Sequence, residues 1–327
     1  MTNINIKQLS WTSNINSRLE FTISGVNNTI VNCLRRVTLS SIPIYVFKDI
    51  RISENTSIFN NNYMKLRINN LPVLGITTDN PIYTKKEVII KEDNEMDDID
   101  MSTNEDINSS SLKQLTMYLD KINTTDEIIT IGTDDCKFYF MEKQIDSPYK
   151  LPYCGNIPLI KLQPTQKIKL SAITSLGIEN ENSIYAAVSI FSYNLIDETS
   201  YTIALESRGQ LDEKTILKYT CINLINILDR FIEKLSLKDV PTNIIGKILV
   251  IDSDHTLGTL IASGLQNHKK IKFAGYNMPH LLDQTIAFDY EMFKEDNIKD
   301  ILVEIVDDFK KIFKTINNLI EKNIINS

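Results

Sequence analysis

The chain is poor in the residues on which many site chemistries depend. Its 327 residues include only 10 Gly, 3 His, 4 Cys and 1 Trp. No GxGxxG or GxxxxGK[ST] string occurs, so a glycine-rich backbone nest for phosphate has no candidate, and nucleotide-binding enzymes of those classes are excluded. GxSxG is also missing, and a Ser-His-Asp or Cys-His arrangement can be assembled only by arbitrary choice of partners. The cysteines, Cys33, Cys136, Cys154 and Cys221, form no CxxC pair, and each sits in or near an apolar run. They read as reduced core thiols, not as a disulfide framework or zinc ribbon. No apolar run approaches the ~18 residues of a membrane span, and Met1 to Leu9 lacks the basic and apolar regions of a secretory signal. The expectation is a soluble, intracellular protein with no membrane contact.

Positive charge is in short supply too. Lys and Arg number 35 against 42 Asp and Glu, for a formal net charge of -7 and a pI near 5.2. A grip on nucleic acid across the whole surface is therefore excluded, because phosphate neutralisation needs concentrated Lys and Arg. Eight acids and no base lie within residues 92–106, so the other 312 residues sum to +1. That stretch reads as a solvated loop or spur, and the acidity belongs to it and not to the folded body. About one residue in six is Ile and one in ten is Asn, a bias that suits an AT-rich genome more than any chemistry.

What the chain does have is apolar periodicity, with 42% of residues hydrophobic. At roughly 150 residues per domain, its length gives two or three folded units. From Leu19 the string LEFTIS alternates like a half-buried strand and turns through Gly25, Asn27 and Asn28. Thr29 is then placed to cap a helix in which Ile30, Cys33, Leu34 and Val37 recur until Pro43 stops it. After Asp212 a second helix aligns Ile216, Leu217, Thr220, Leu224, Leu228 and Phe231. A third, from Ile298 to Ile320, carries Phe309 and Phe313 in its apolar stripe. Short β-type runs at 44–52, 157–162, 167–170 and 185–191 suggest a β-rich insertion between the first two helices. A polar break with Pro241 precedes a strand at Lys247 to Ile251, which marks a module boundary.

Sliding the chain by 227 residues lays Thr29, Ile30, Cys33 and Leu34 over Thr256, Leu257, Leu260 and Ile261. In both places a strand runs into a polar turn, a Thr placed as a cap and an apolar helix. Two such units suggest an internal pseudo-dimer with Thr29, Ile30, Leu34, Thr256, Leu257, Ile261, Phe309 and Phe313 in its core. Asp252, Asp254 and His255 form a DxDH cluster that could suit a divalent ion, and a metal-dependent hydrolase built on it is the runner-up reading. Yet the cluster lacks the spacing that puts two ligands on one helix face, and Asp254 and His255 stand where a helix cap is expected. No metal site is expected. Arg35 and Arg36 are about 100° apart on their helix, so both cannot be buried. Spacing does not separate a solvated face from a docking surface.

At this point the motifs become specific. Asn32 to Arg36 followed by Ser40 to Pro43 resembles the NxLRR helix of RNA polymerase alpha-type subunits: the bacterial alpha subunit, the archaeal D subunit and their eukaryotic counterpart. Tyr63 to Ile76, Pro158 to Ile178 and Ala204 to Leu211 resemble further segments of that family, in the family's order. Asp254 to Gly258 (DHTLG) and Phe273 to Leu282 (FAGYNMPHLL) resemble the archaeal L subunit and its eukaryotic equivalent. Elsewhere these are two chains; here they are joined head to tail, as in the alpha-type subunit of nucleocytoplasmic large DNA viruses.

The resemblance implies an α+β fold. Residues 1–50 with 196–238 would form a D-like dimerisation domain, 51–195 a β-rich insertion with an acidic loop at about 90–111, and 239–327 an L-like dimerisation domain. It implies a non-catalytic assembly platform of a DNA-directed RNA polymerase, a nucleotidyltransferase complex. The platform would dock the two largest subunits and small assembly subunits, and meet nucleic acid only through the complex. A polymerase-derived adaptor is a further alternative. Asn32, Arg35 and Arg36, with Asp254, His255, Gly258, Gly275, Tyr276, Pro279 and His280, would form the large-subunit interface, Gly275 supplying a turn. The implied location is the host cytoplasm and the virion, with the nucleus as an alternative.

The chain also departs from these patterns. The L-type motif normally continues with Asn and a base, but Thr259, Ile261 and Ala262 follow here, so docking should be asymmetric. PHPLE has become Pro279 to Asp283. The clustered cysteines that hold zinc or an iron-sulfur cluster in many relatives are reduced to Cys136 and Cys154, 18 positions apart, so no cofactor is expected.

Overall fold

The computed structural model describes residues 4–12, 17–78, 81–83, 114–141, 143–149, 155–236, 243–251, 253–280 and 284–324. The acidic stretch, Cys154, Asp252 and Leu281 to Asp283 lie outside them. The chain divides into two compact units, one from residues 1–42 and 178–327 and the other from Pro43–Gly177. The first unit opens with β1 (Asn5–Thr12), β2 (Arg18–Ser24) and α1 (Asn28–Ser40). The second holds β3 (Ile44–Asn55), α2 (Asn61–Asn69), β4 (Leu115–Ile122), β5 (Ile129–Gly132), β6 (Lys137–Phe140), β7 (Lys143–Ile145), β8 (Pro158–Leu162) and β9 (Lys167–Gly177). The first unit resumes with the hairpin β10 (Val188–Asp197) and β11 (Ser200–Ser207), then α3 (Glu213–Ser236). It ends with β12 (Ile245–Val250), α4 (His255–Gln266), β13 (Ile271–Asn277), β14 (Ile286–Met292) and α5 (Ile298–Asn323). Both classes of element are thus present, an α+β fold. Among the described residues no helix is long and apolar enough to cross a membrane.

The first unit has two antiparallel sheets, in the orders β1-β2-β11-β10 and β12-β14-β13. In β2, Leu19, Phe21 and Ile23 are buried and their neighbours are not, the alternation that its sequence announces. The run at 185–191 is a strand only from Val188, because residues Ser183–Tyr185 close a 3₁₀ turn that Asn182 caps. Asn27, not Thr29, caps α1: its extended backbone lets Oδ1 accept the Ile30 amide at 3.0 Å, while Thr29 already lies in the first turn. Likewise Asp254 caps α4, its Oδ1 accepting the Thr256 and Leu257 amides at 3.1 and 3.2 Å.

The offset of 227 therefore reaches beyond the apolar helices. It carries Asn27 onto Asp254, the first residue of α1 onto that of α4, and the first of β2 onto that of β12. The pairing repeats as well. β2 pairs with β11, which pairs with β10; β12 pairs with β14, which pairs with β13. Each series ends in a long helix, α3 or α5. The helices pack α1 on α4 and α3 on α5, with α1 also on α3 and α4 also on α5. Ile30, Leu34, Thr256, Leu257, Ile261, Phe309 and Phe313 are all buried, each apolar one contributing about 1.5–3 kcal/mol, whereas Thr29 is only half-buried.

Two polar contacts fix α1 against α3. The Thr38 hydroxyl donates to Leu34 O at 2.7 Å and meets the Thr220 hydroxyl at 2.8 Å. Asn223 Nδ2 donates to Ser41 O at 3.1 Å, giving a partner to a carbonyl at the end of α1. In the second unit, β3-β9-β4-β6-β7 form one sheet and β5-β8 a two-stranded one. Its core gathers Phe47, Met64, Ile68, Met117, Phe138 and Tyr149, whose hydroxyl donates to Pro72 O at 2.8 Å.

Candidate functional site

Most of the residues singled out in the sequence converge on the N-terminal end of α4 and the α1 face beside it. The two arginines diverge. Arg35 Nε and Nη2 donate to Asn32 Oδ1 at 3.2 and 3.0 Å, so Asn32 on the same helix holds that guanidinium. Arg36 crosses to the other half, where its Nε donates to Thr256 Oγ1 at 2.9 Å and its Nη2 stands 3.7 Å from Asp254 Oδ2. The Thr256 hydroxyl donates to the same Oδ2 at 2.7 Å. Asp254 thus closes a helix cap and a link between α1 and α4.

Beside this link Cys33 Sγ lies 3.7 Å from Thr256 O. Burial, reinforced by the Asp254 charge, pushes the Cys33 thiol up to about 12. Cys136 and Cys221 are pushed up to about 12 as well, chiefly by burial. These thiols stay protonated at physiological pH and make poor nucleophiles. Among the described residues no three His, Cys, Asp or Glu side chains cluster as metal ligands.

Gly258 and Tyr276 form the second feature. A Cβ on Gly258 would lie 2.6 Å from Tyr276 Cδ2 and Cε2 and 3.2 Å from Ile286 Cδ1, so the missing side chain lets the ring pack on α4. The Tyr276 hydroxyl lies 2.9 Å from Thr259 Oγ1, which donates to His255 O at 2.8 Å, and 3.4 Å from His255 Nδ1. The turn expected of Gly275 is not found. Gly275 sits within β13 opposite Asp289, has no positive φ, and a Cβ there would meet only Phe273 Cζ at 3.7 Å. Pro279 and His280 follow β13 and are exposed.

A cleft of about 430 Å³ opens here, with contributions from α1, α3, α4 and the β13-β14 connection. Val37, Phe231 and Leu257 supply apolar lining. Arg230, Lys234 and His255 bring polar and basic groups to it, and Lys234 Nζ donates to Ile251 O at 2.9 Å. The motifs in the sequence point to Asp254 and His255 but not to Arg230. The one available signal is the i, i+4 spacing of Arg230 and Lys234, which puts both on one face of α3.

Comparison with known proteins agrees with this architecture. Residues 20–228 and residues 246–319 each match the RNA polymerase Rpb3/Rpb11 dimerisation domain. A protein of Acanthamoeba polyphaga mimivirus named as a DNA-directed RNA polymerase subunit is 26% identical over 93% of this chain and 90% of its own length. The DNA-directed RNA polymerases I and III subunit rpac1 of Dictyostelium discoideum is 26% identical over 65% of the chain, which spans only 59% of that protein. The RPAC2 subunit named for the same polymerases in Caenorhabditis elegans is 25% identical over 45% of the chain and 96% of its own length.

Proposed function

The chain belongs to the RNA polymerase Rpb3/Rpb11 dimerisation domain family, carrying two such domains in tandem, and from that premise we propose that it is the assembly platform of a multisubunit DNA-directed RNA polymerase. The observation that carries this reading is the repeated strand-helix-hairpin-helix series, with α1 packed on α4 and α3 on α5. Like helix meets like, as in an isologous dimer, but within one polypeptide. We therefore read the first unit as an internal pseudo-heterodimer of a D-like and an L-like half, interrupted by the insertion. The chain is non-catalytic: its role is to hold the two largest subunits, with smaller assembly subunits alongside. Nucleic acid is met only through the complex.

The docking face we assign comprises Asn32 and Arg35 on α1 and the end of α4 at Asp254 and His255, with Tyr276, Pro279 and His280 alongside; Gly258 is buried beneath the Tyr276 ring and serves the face by letting that ring pack. Arg36 belongs to its inner side, where it joins the two halves. The mimivirus relative supports a viral setting, with assembly in the host cytoplasm, the virion or the nucleus. Nothing favours the hydrolase alternative: among the described residues no three potential metal ligands cluster, and Asp254 caps α4 and stands beside Arg36.

Tagged purification from the natural source tests the platform directly. Both largest polymerase subunits should follow the chain, and their absence from the purified material would overturn the reading. Arg35→Glu should then weaken that association while shifting the melting temperature by no more than about 2 °C, because among the described residues its side chain bonds only within its own helix.

A further inference from the structure

One strand of the first unit stands outside its repeat. The sheet of the first half has four strands and that of the second half three, and the offset of 227 carries Asn5 of β1 onto Ile232, inside α3. Among the described residues β1 therefore has no counterpart. It pairs with β2 of its own half, and it also packs on α5 of the other half. Ile6 is 2% exposed, and its carbonyl accepts Asn323 Nδ2 at 2.8 Å, at the end of α5. Further along, a span of about 17 Å in an extended strand, Trp11 Nε1 donates to Glu213 Oε2 at 3.3 Å, in the first turn of α3. β1 thus touches the start of α3 and the end of α5, where Lys214 Nζ donates to Glu321 O at 3.1 Å and Lys218 pairs with Glu321 at 2.8 Å.

Glu213 is 1% exposed, and a carboxylate taken out of water is costly unless its oxygens find donors. The N-terminal end of α3 favours its negative charge. Among the described residues its side-chain donors are Trp11 Nε1 and, at Oε1, Ser17 Oγ, which come from β1 and the approach to β2. Burial of Glu213 and seating of β1 are therefore one event. We propose that β1 is a clasp: latched to α3 through Glu213 and laid on α5 at Ile6, it holds the second half in register on the first, so that loosening either end loosens the other. A strand that merely covered the helices would respond only where it is disturbed. Glu213 acts here as a positioning residue, through Trp11. The proposal rests on the reading of the first unit as two joined halves, and it adds the element that keeps them in step.

Amide hydrogen exchange and the emission of Trp11, the single tryptophan, read the two ends in the full-length chain. Glu213→Ala should speed exchange over the last turns of α5, from Phe313 onward, by about tenfold. Glu213→Gln, which keeps an acceptor for the indole, should recover most of the protection. At the other end, Ile6→Ala should shift Trp11 emission to the red. Wild-type exchange at the end of α5 in Glu213→Ala, or Trp11 emission unmoved by Ile6→Ala, would overturn the clasp and leave the two halves standing. So would a uniform rise that includes Leu260 to Leu265 of α4, the mark of general destabilisation, or an equal rise in Lys218→Ala, which loses only a direct ion pair between α3 and α5. A wild-type chain without protection along α3 and α5 would overturn the two-half reading as well. Should Glu213→Ala fail to fold, Trp11→Phe removes the indole N–H and leaves a ring in place. Faster exchange at the end of α5 in that variant supports the clasp, and wild-type exchange refutes it.

Discussion

The two halves of the first unit share an order of elements yet divide their work. At positions related by the offset of 227, Val31 and Val37 of α1 correspond to Gly258 and Gly264 of α4, and Arg35 and Arg36 to Ala262 and Ser263. The glycines make α4 a surface of close approach. Tyr276 lies against Gly258, and a Cβ on Gly264 would stand 2.3 Å from Ile305 Cγ2 and 2.9 Å from Phe309 Cε2. The arginines make α1 the helix that reaches outward and across. The sheets differ in the same spirit: Arg18 and Glu20 of β2 form an ion pair at 2.7 Å, whereas Ile245 of β12, opposite Arg18 in the alignment, is 69% exposed. One topology can thus serve two roles when a few side chains on its helices are exchanged, because the backbone connectivity rests on the buried stripe and not on those positions.

Breaking the cores should have the largest effect. Phe231→Ala in α3 and Phe313→Ala in α5 remove side chains that are 1% and 0% exposed, and each should cost about 3–5 kcal/mol. If the halves form one cooperative body, both variants lower the same thermal transition. Two transitions, of which each variant moves only one, would mean that the halves fold independently and that the comparison describes neighbours, not a unit.

Exchanging the small and large residues has the next largest effect. Gly258→Val forces a hydrogen-bonded tyrosine ring to move and should cost about 1–3 kcal/mol. Val31→Gly should cost about 2–3 kcal/mol for other reasons, roughly 0.5 kcal/mol of it in helix propensity and the rest in lost burial of a side chain that is 0% exposed. Chemical denaturation reads both, and a neutral Gly258→Val would show that the close approach on α4 is not what its glycine serves.

The arginines give the smallest effect and the sharpest contrast. Arg36→Ala removes a hydrogen bond to Thr256 and an ion pair whose partners are 40% and 60% exposed, so about 1 kcal/mol is expected, nearly all of it from the hydrogen bond. Arg35→Ala should stay within about 0.5 kcal/mol. Equal losses, measured by denaturant midpoint, would show that Arg36 is as free as Arg35 and that the link between α1 and α4 carries no weight.

Much of this organisation was legible from the chain alone because it is local. The apolar stripes of α3 and α5 and the alternation in β2 emerge where their periods place them. The cap of α4 at Asp254 is legible from its place before the apolar stripe, but that of α1 lies two positions before Thr29: Thr is a good capping residue, yet Asn27 stands where the backbone is still extended, and that is a property of the turn. Gly275 departs from its expected turn for a related reason. A glycine in a motif suggests a turn, yet here it occupies a strand, and only its partner Asp289 reveals that. Arg230 carried no motif at all.

By itself the sequence determined where the long helices and the alternating strand β2 lie, which faces they bury, and that one strand-helix unit occurs twice. Burial periodicity and capping act over a few residues, so they are written in the order of the chain. Only the tertiary structure decided which arginine faces inward, why α4 needs its glycines, and that residues from Val37 to Gln284 share one cleft. Those contacts join side chains far apart in sequence, and Arg36 and Thr256 are separated by 220 positions. Which of two adjacent arginines finds such a partner depends on helix packing and rotamer, not on any pattern in its neighbours.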